Sequence, residues 1–135
     1  MIQRNIHGEW AFTFEGRLMT TKLVGQSNRE ASLAWFKDMK SNLLSSPESD
    51  RSPWVLLFDC TEWLLGPEDI ADTNNKIMTW MTSHNLVFEA AVFSYKLQEF
   101  AIDQQDFDTK SVLHYFYDYD EAYQACLNKL ADFQR

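Results

Sequence analysis

The chain has 135 residues, 45% hydrophobic and 15% aromatic, and twenty acids against twelve lysines and arginines give it a net charge of −8. That balance predicts one domain over residues 1–135 with enough apolar matter for a single core. It disfavours nucleic acid and anionic membrane surfaces, since the densest basic stretch, Arg17 to Lys22, holds only two cations.

No segment approaches the roughly 20 consecutive apolar residues of a membrane span, so no membrane insertion is expected. The start, Met1 to Ile6, lacks the apolar region of a signal peptide. Two distant cysteines, Cys60 and Cys126, predict no disulfide framework and a reducing, cytoplasmic setting.

Glu9 to Phe14 alternates bulky with small or polar residues, the period of a half-buried strand. Glu15-Gly16 predicts a turn, Arg17 to Val24 a returning strand, and Gly25 and Gln26 the end of the hairpin. Ser27 and Glu30 match a capping box. Behind it Ala31, Ala34, Trp35, Met39 and Leu43 recur at helical spacing up to about Leu44. Ser45 to Pro53 reads as a surface loop.

Trp54 to Phe58, closing on Asp59, is a short unbroken apolar run, the pattern of a parallel strand covered on both faces. Gly66-Pro67-Glu68-Asp69 then opens a helix, with Pro favoured at the first helical position and acids suited to the dipole. Its apolar stripe is Ile70, Ile77, Met78 and Met81, and it ends near Ser83-His84-Asn85.

Phe88 to Phe93 predicts another parallel strand, and Leu97 to Gln104 a short helix presenting Leu97, Phe100 and Ala101. Val112 to Tyr117 is the last strand. Asp118 with Glu121 caps a final helix whose buried face is Ala122, Cys126, Leu127, Leu130 and Phe133. A hairpin, a helix, then strand and helix repeated describe an α/β domain. Its sheet is mixed, mostly parallel and five-stranded, with about four helices and right-handed crossovers.

This order, with a central strand ending in Asp59 and a helix a few residues on, resembles the STAS domain. That family comprises anti-sigma-factor antagonists and also forms the cytosolic tails of sulfate transporters. More narrowly the chain looks like the SpoIIAA-like (STAS/SEC14-type) branch of small stand-alone bacterial proteins. The family's signature loop runs Asp-Leu-Ser, a few residues, then Asp-Ser-Ser-Gly at a helix start. Asp59-Cys60-Thr61 falls on the first part, with Thr61 at the hydroxyl position, and Gly66-Pro67-Glu68-Asp69 on the second.

The resemblance implies a phosphorylatable Ser at that helix start. Pro67 and Glu68 stand there instead, and neither accepts a phosphate. Glu68 either supplies a standing negative charge or complements the helix dipole.

Asp59, Cys60, Thr61, Ser94, Tyr95, Lys96 and Asp118 all fall at expected carboxyl ends of strands. Open α/β sheets place ligands and partners at that edge. Strand ends also need turn formers and caps, which explains Asp118 and competes with a binding role for Asp59 and Thr61.

Enzyme signatures are missing. There is no glycine-rich phosphate loop and no Gly-x-Ser-x-Gly elbow, and His7, His84 and His114 show no paired metal-ligand spacing. Cys60 has no adjacent base, and Glu99, Asp103, Asp106 and Asp108 lack a calcium-loop pattern. Phospho-receiver chemistry lacks its acidic pair and its lysine. No catalytic residue, cofactor or metal is expected.

Trp63, followed by Leu64-Leu65, is the aromatic hardest to bury by pattern. It reads as an interface anchor, a pocket wall, or a shield over the helix start. Together these features predict a non-enzymatic cytosolic regulatory or adaptor module. Its protein partner would dock on Asp59, Thr61, Trp63, Leu64, Leu65, Pro67 and Glu68, with self-association into a homodimer as a further possibility. The alternative is a carrier or sensor of a small apolar ligand, in a cavity lined by Met78, Trp80, Met81 and Phe100. The adaptor predicts an exposed Trp63 and a filled core; the carrier predicts an enclosed apolar cavity.

Overall fold

The computed structural model describes residues 9–26, 29–45, 52–64, 71–103 and 110–133. Strands β1 (Glu9–Glu15) and β2 (Leu18–Gln26) pair antiparallel with Glu15 opposite Leu18, so the turn is Gly16-Arg17. Gly16 takes φ +59, the left-handed backbone that a two-residue hairpin turn asks of its first central position.

Helix α1 (Arg29–Leu44) leads to β3 (Trp54–Asp59) and the two-residue β4 (Trp63–Leu64). Helix α2 (Ala71–Ser83), β5 (Leu86–Val92) and α3 (Lys96–Asp103) follow. A 3-10 turn at Lys110–Val112 enters β6 (Leu113–Phe116), and α4 (Tyr119–Ala131) closes the order.

The sheet runs β1-β2-β3-β5-β6, with β4 off this path beside β2; every pairing after the hairpin is parallel. The expected mixed sheet and helices are present, and the sheet has six strands, five in the main order. The sixth, β4, lies in the stretch read as loop, because two residues carry no periodic signal.

The central position of β3 follows from its composition. Trp54, Leu56 and the half-buried Phe58 pack toward α1 and α2, with Met19, Trp35, Met39 and Met81. Val55 and Leu57 pack on the other face against Ala122, Cys126 and Leu130 of α4. The period of two thus feeds two apolar layers from one strand.

Helix α2 stops at Asn85, whose φ of 75 is the left-handed conformation that asparagine tolerates at a helix end. The Asn85 carbonyl accepts from Trp54 N at 3.1 Å, and the Trp54 indole donates to the His84 carbonyl at 2.8 Å. The end of α2 is thereby tied to the start of β3.

Two expected faces are corrected. On α4, Leu127 and Phe133 are exposed, and burial is confined to Ala122, Cys126 and Leu130. On α3, Leu97 and Phe100 face solvent and Gln98 is the buried residue. The Ser27 cap, most of the Ser45–Pro53 stretch and the Gly66-Pro67-Glu68-Asp69 opening lie outside the described residues. Among the described residues no helix is long and apolar enough to cross a membrane.

The Asp118 cap is formed: its carboxylate accepts from Asp120 N at 2.8 Å and Glu121 N at 3.2 Å. Asp118→Ala is expected to cost about 1 kcal/mol, read as a lower urea midpoint with an unchanged slope. Leu56→Ala, at a fully buried position of β3, is expected to cost about 2–5 kcal/mol in the same measurement.

Candidate functional site

The site is built where β3, β4 and β5 end. Asp59 Oδ1 accepts from Thr61 N at 3.0 Å and from Thr61 Oγ1 at 2.6 Å. The Cys60 carbonyl accepts from Trp63 N at 3.1 Å, closing a four-residue turn. Asp59 and Thr61 are thus engaged with each other in shaping this turn. Ser94 Oγ donates to the Thr61 carbonyl at 2.8 Å, joining the turn to the end of β5. Gly25, at φ 84, sends its N–H to the Glu62 carbonyl at 3.0 Å, while Lys22 and Glu62 form an exposed ion pair.

One buried amide holds these pieces together. Gln98 Nε2 donates to the carbonyls of Cys60 and Trp63, each at 2.8 Å. Its Oε1 accepts from Ser94 N at 2.7 Å and from Tyr95 N at 3.4 Å. All the bonding capacity of the side-chain amide is used, which is what permits full burial of a glutamine.

This clamp sends successive residues of β4 to opposite sides. Trp63 is 6% exposed and packs with Cys60, Ala91 and Phe93, whereas Leu64 is 58% exposed. Trp63 is therefore a pocket wall and not a surface anchor. Leu65, Pro67 and Glu68 lie outside the described residues. Ser94, Tyr95 and Lys96 reach the same edge as Tyr117: the Lys96 ammonium lies 4.7 Å from the Tyr117 ring centroid, and the Tyr117 hydroxyl donates to Glu99 Oε1 at 2.8 Å.

Beneath the edge, between the sheet and helices α1 and α2, lies an apolar cavity of about 110 Å³. Trp35, Phe58, Trp63, Met78 and Met81 line it. Met78 and Met81 were expected there. Trp80 instead packs against Phe36 and His84, and Phe100 is exposed. The same cavity is lined by Glu89, which sits within β5, is 5% exposed, and has its Oε1 without a hydrogen-bond partner among the described residues.

Burial pushes the Glu89 carboxyl up to about 8. Burial, with Glu89 and Asp59 nearby, also holds the Cys60 thiol well above its ordinary value, and burial raises Cys126 to about 12. Both thiols are buried and protonated, hence inert. Among the described residues no group of three His, Cys, Asp or Glu side chains is arranged to hold a metal ion.

Sequence reasoning passed over Gln98 and Glu89. Glu89 had a signal, a lone acid inside the apolar run Phe88 to Phe93. Gln98 had none, because its role comes from two carbonyls more than 30 positions earlier in the chain.

Gln98→Met, which keeps the volume and removes every polar contact, is expected to destabilise the fold by about 2–4 kcal/mol, measured by urea unfolding. Glu89 sets a pH dependence. Its folded pKa, about 8, lies above the unfolded value of about 4.3, so the folded state holds the extra proton. The stability this confers is complete below the unfolded value and is lost as pH rises to the folded one. Relative to Glu89→Gln, the wild type should lose stability by at most about 1.4 kcal/mol per pH unit across that window. A pH-independent difference between the two would contradict the assignment.

No family model matches the chain, and no curated protein matches it. Solved structures do. An anti-sigma factor antagonist from Mycobacterium paratuberculosis superposes with a TM-score of 0.61 at 12% identity, over 89% of this chain and 94% of the other. An uncharacterized DUF3478-family protein with a SpoIIAA-like fold, from Shewanella loihica PV-4, superposes with a TM-score of 0.64 at 21% identity, over 93% of this chain and 99% of the other. The chain has the SpoIIAA-like fold.

Proposed function

We propose that the domain is a non-enzymatic regulatory module that docks a protein partner on the carboxyl edge of its sheet. The observation that carries this reading is apolar exposure. Of ten large hydrophobic side chains exposed among the described residues, six follow the carboxyl ends of β3, β5 and β6: Leu64, Tyr95, Leu97, Phe100, Tyr117 and Tyr119. Such a concentration, rich in tyrosine, is the composition of a binding surface.

The same edge carries Asp59, Glu62, Glu99, Asp118, Asp120 and Glu121 against Lys22 and Lys96, which favours a partner with a basic rim around an apolar centre. The fold shared with an anti-sigma factor antagonist supports a regulatory role. In this reading Leu64 remains a contact residue and Asp59 and Thr61 shape the turn beneath it; Leu65, Pro67 and Glu68, outside the described residues, remain contact candidates from the sequence. Pro67 and Glu68 leave docking without a phosphoserine switch at that helix start.

A second reading, a carrier or sensor of a small apolar ligand, is favoured by the two features that separate the readings: Trp63 is buried, and it lines an apolar cavity where the adaptor alone would have a filled core. The two readings are compatible, since cavity and edge share the turn from Cys60 to Leu64. A native mass spectrum with extra mass that vanishes on denaturation would support the ligand, and the same spectrum reports monomer against dimer.

The docking surface is tested with Leu64→Asp and Phe100→Asp, using Leu33→Asp on the outer side of α1 as control. All three positions are exposed, so each change in stability should stay within about 0.5 kcal/mol. Protein captured from a lysate of the source cells should fall at least about tenfold for the two edge variants and be unchanged for Leu33→Asp. Equal capture by all three, or loss with Leu33→Asp alone, would contradict the proposal.

A further inference from the structure

We infer that the cavity is a binding site for a small apolar amine, with the ammonium head on Glu89 and the body against Trp35, Phe58 and Trp63. The inference rests on the ligand reading above and adds the charge class of the ligand.

Glu89 occupies the middle of a strand hydrogen-bonded on both sides, by β3 and β6. A carboxyl there displaces apolar contact and must be desolvated, which is costly unless something pairs with it. Among the described residues nothing pairs with its Oε1, although nearby buried polar groups such as Gln98 and the Trp35 indole are satisfied. Ala91, two residues on and also lining the cavity, leaves room beside it.

The charge of the missing partner follows from the walls. No Lys, Arg or His is among the described residues that line the cavity, whose other polar side chains are Ser32, Cys60 and Asn74. An anionic ligand would meet a carboxyl with no counter-charge. A wholly apolar one would leave Oε1 unpaired. An ammonium supplies both the charge and the N–H donors. The net charge of −8 attracts cations to the molecule as a whole. The volume of about 110 Å³, below the roughly 150 Å³ of an apolar cavity that holds benzene, limits the body to at most a single ring.

A pH signature follows. The empty site holds Glu89 protonated at neutral pH, since its carboxyl is raised to about 8, whereas an ammonium binds the carboxylate. Affinity should therefore rise as pH passes through that value. The titratable groups electrostatically coupled to Glu89 do not interfere. Cys60 at the end of β3 is held well above its ordinary value, and Tyr115 on β6 and Cys126 on α4 are raised to about 12. From α1, α2 and α3 the cavity receives Ser32, Asn74 and Ile102, which do not titrate.

The test is an NMR titration with benzylamine, and with benzyl alcohol as its neutral counterpart, followed at the indole N–H signals of Trp35 and Trp63. Wild type and Glu89→Gln are compared at about pH 6.5 and about pH 8.5, on either side of the raised carboxyl. Benzylamine should bind the wild type at least about tenfold more tightly at the higher pH. It should lose that advantage in Glu89→Gln, which should still bind benzyl alcohol. Equal binding of amine and alcohol at both pH values would overturn the amine assignment and leave the ligand reading standing. Binding of neither probe would overturn both, the cavity then holding water alone. Should Glu89→Gln not fold, the pH profile of benzylamine binding to the wild type decides the matter: affinity that levels off above about pH 8, the value of the Glu89 carboxyl, supports the charged pair, and a rise that continues to the pKa of the amine itself overturns it in favour of neutral amine.

Discussion

The carboxyl ends of β3 and β5 leave peptide groups that no neighbouring strand can satisfy, and one buried glutamine satisfies them. Gln98 reaches two carbonyls of the β3–β4 turn with its amide nitrogen and the Ser94 N–H with its oxygen. Unpaired peptide groups in that position would be costly, because an unsatisfied buried donor or acceptor loses its water without compensation. The contact also fixes geometry. It holds α3 against the turn, and the turn in turn determines which residues of β4 point inward.

From that placement come both surfaces of functional interest. Trp63 lines the cavity and Leu64, next along the chain, stands in solvent at the edge. Ile102 lines the cavity from α3 while Leu97 and Phe100 of the same helix are exposed, as are Leu64 and Tyr95. A ligand that pushes on Trp63 therefore bears on the same turn and helix that form the proposed docking edge. Thermodynamic coupling between the two would be reciprocal, with the edge partner altering ligand affinity by the same factor.

Much of the fold was legible because its signals are local. The alternation of β1, the turn glycine at 16, the two-faced apolar run of β3 and the Asp118 cap each depend on residues within a few positions of one another. The site was less legible because its determinants are tertiary. On α3 the pattern favours burying Leu97 and Phe100, yet Gln98 is buried, since hydrogen bonds to a distant turn outweigh the transfer of two apolar side chains. Trp63 was ambiguous for the same reason: a two-residue strand has no periodicity to show which side chain faces in, and the tertiary contacts with β2 and Gln98 decide it. Glu89 was hidden inside an apolar run whose strand assignment was correct, and only the cavity beside it gives the acid a meaning.

The most direct test of this account is hydrogen exchange at the side-chain amide of Gln98, whose two Nε2 protons are resolved individually by NMR. A clamp satisfied on both protons predicts exchange slowed by about a hundredfold or more relative to free glutamine, with contacts from one proton to the Trp63 backbone. Exchange at the unprotected rate, with no contact to the Trp63 backbone, would mean that the turn is not held by Gln98. The shared origin argued for the cavity and the docking edge would then fail.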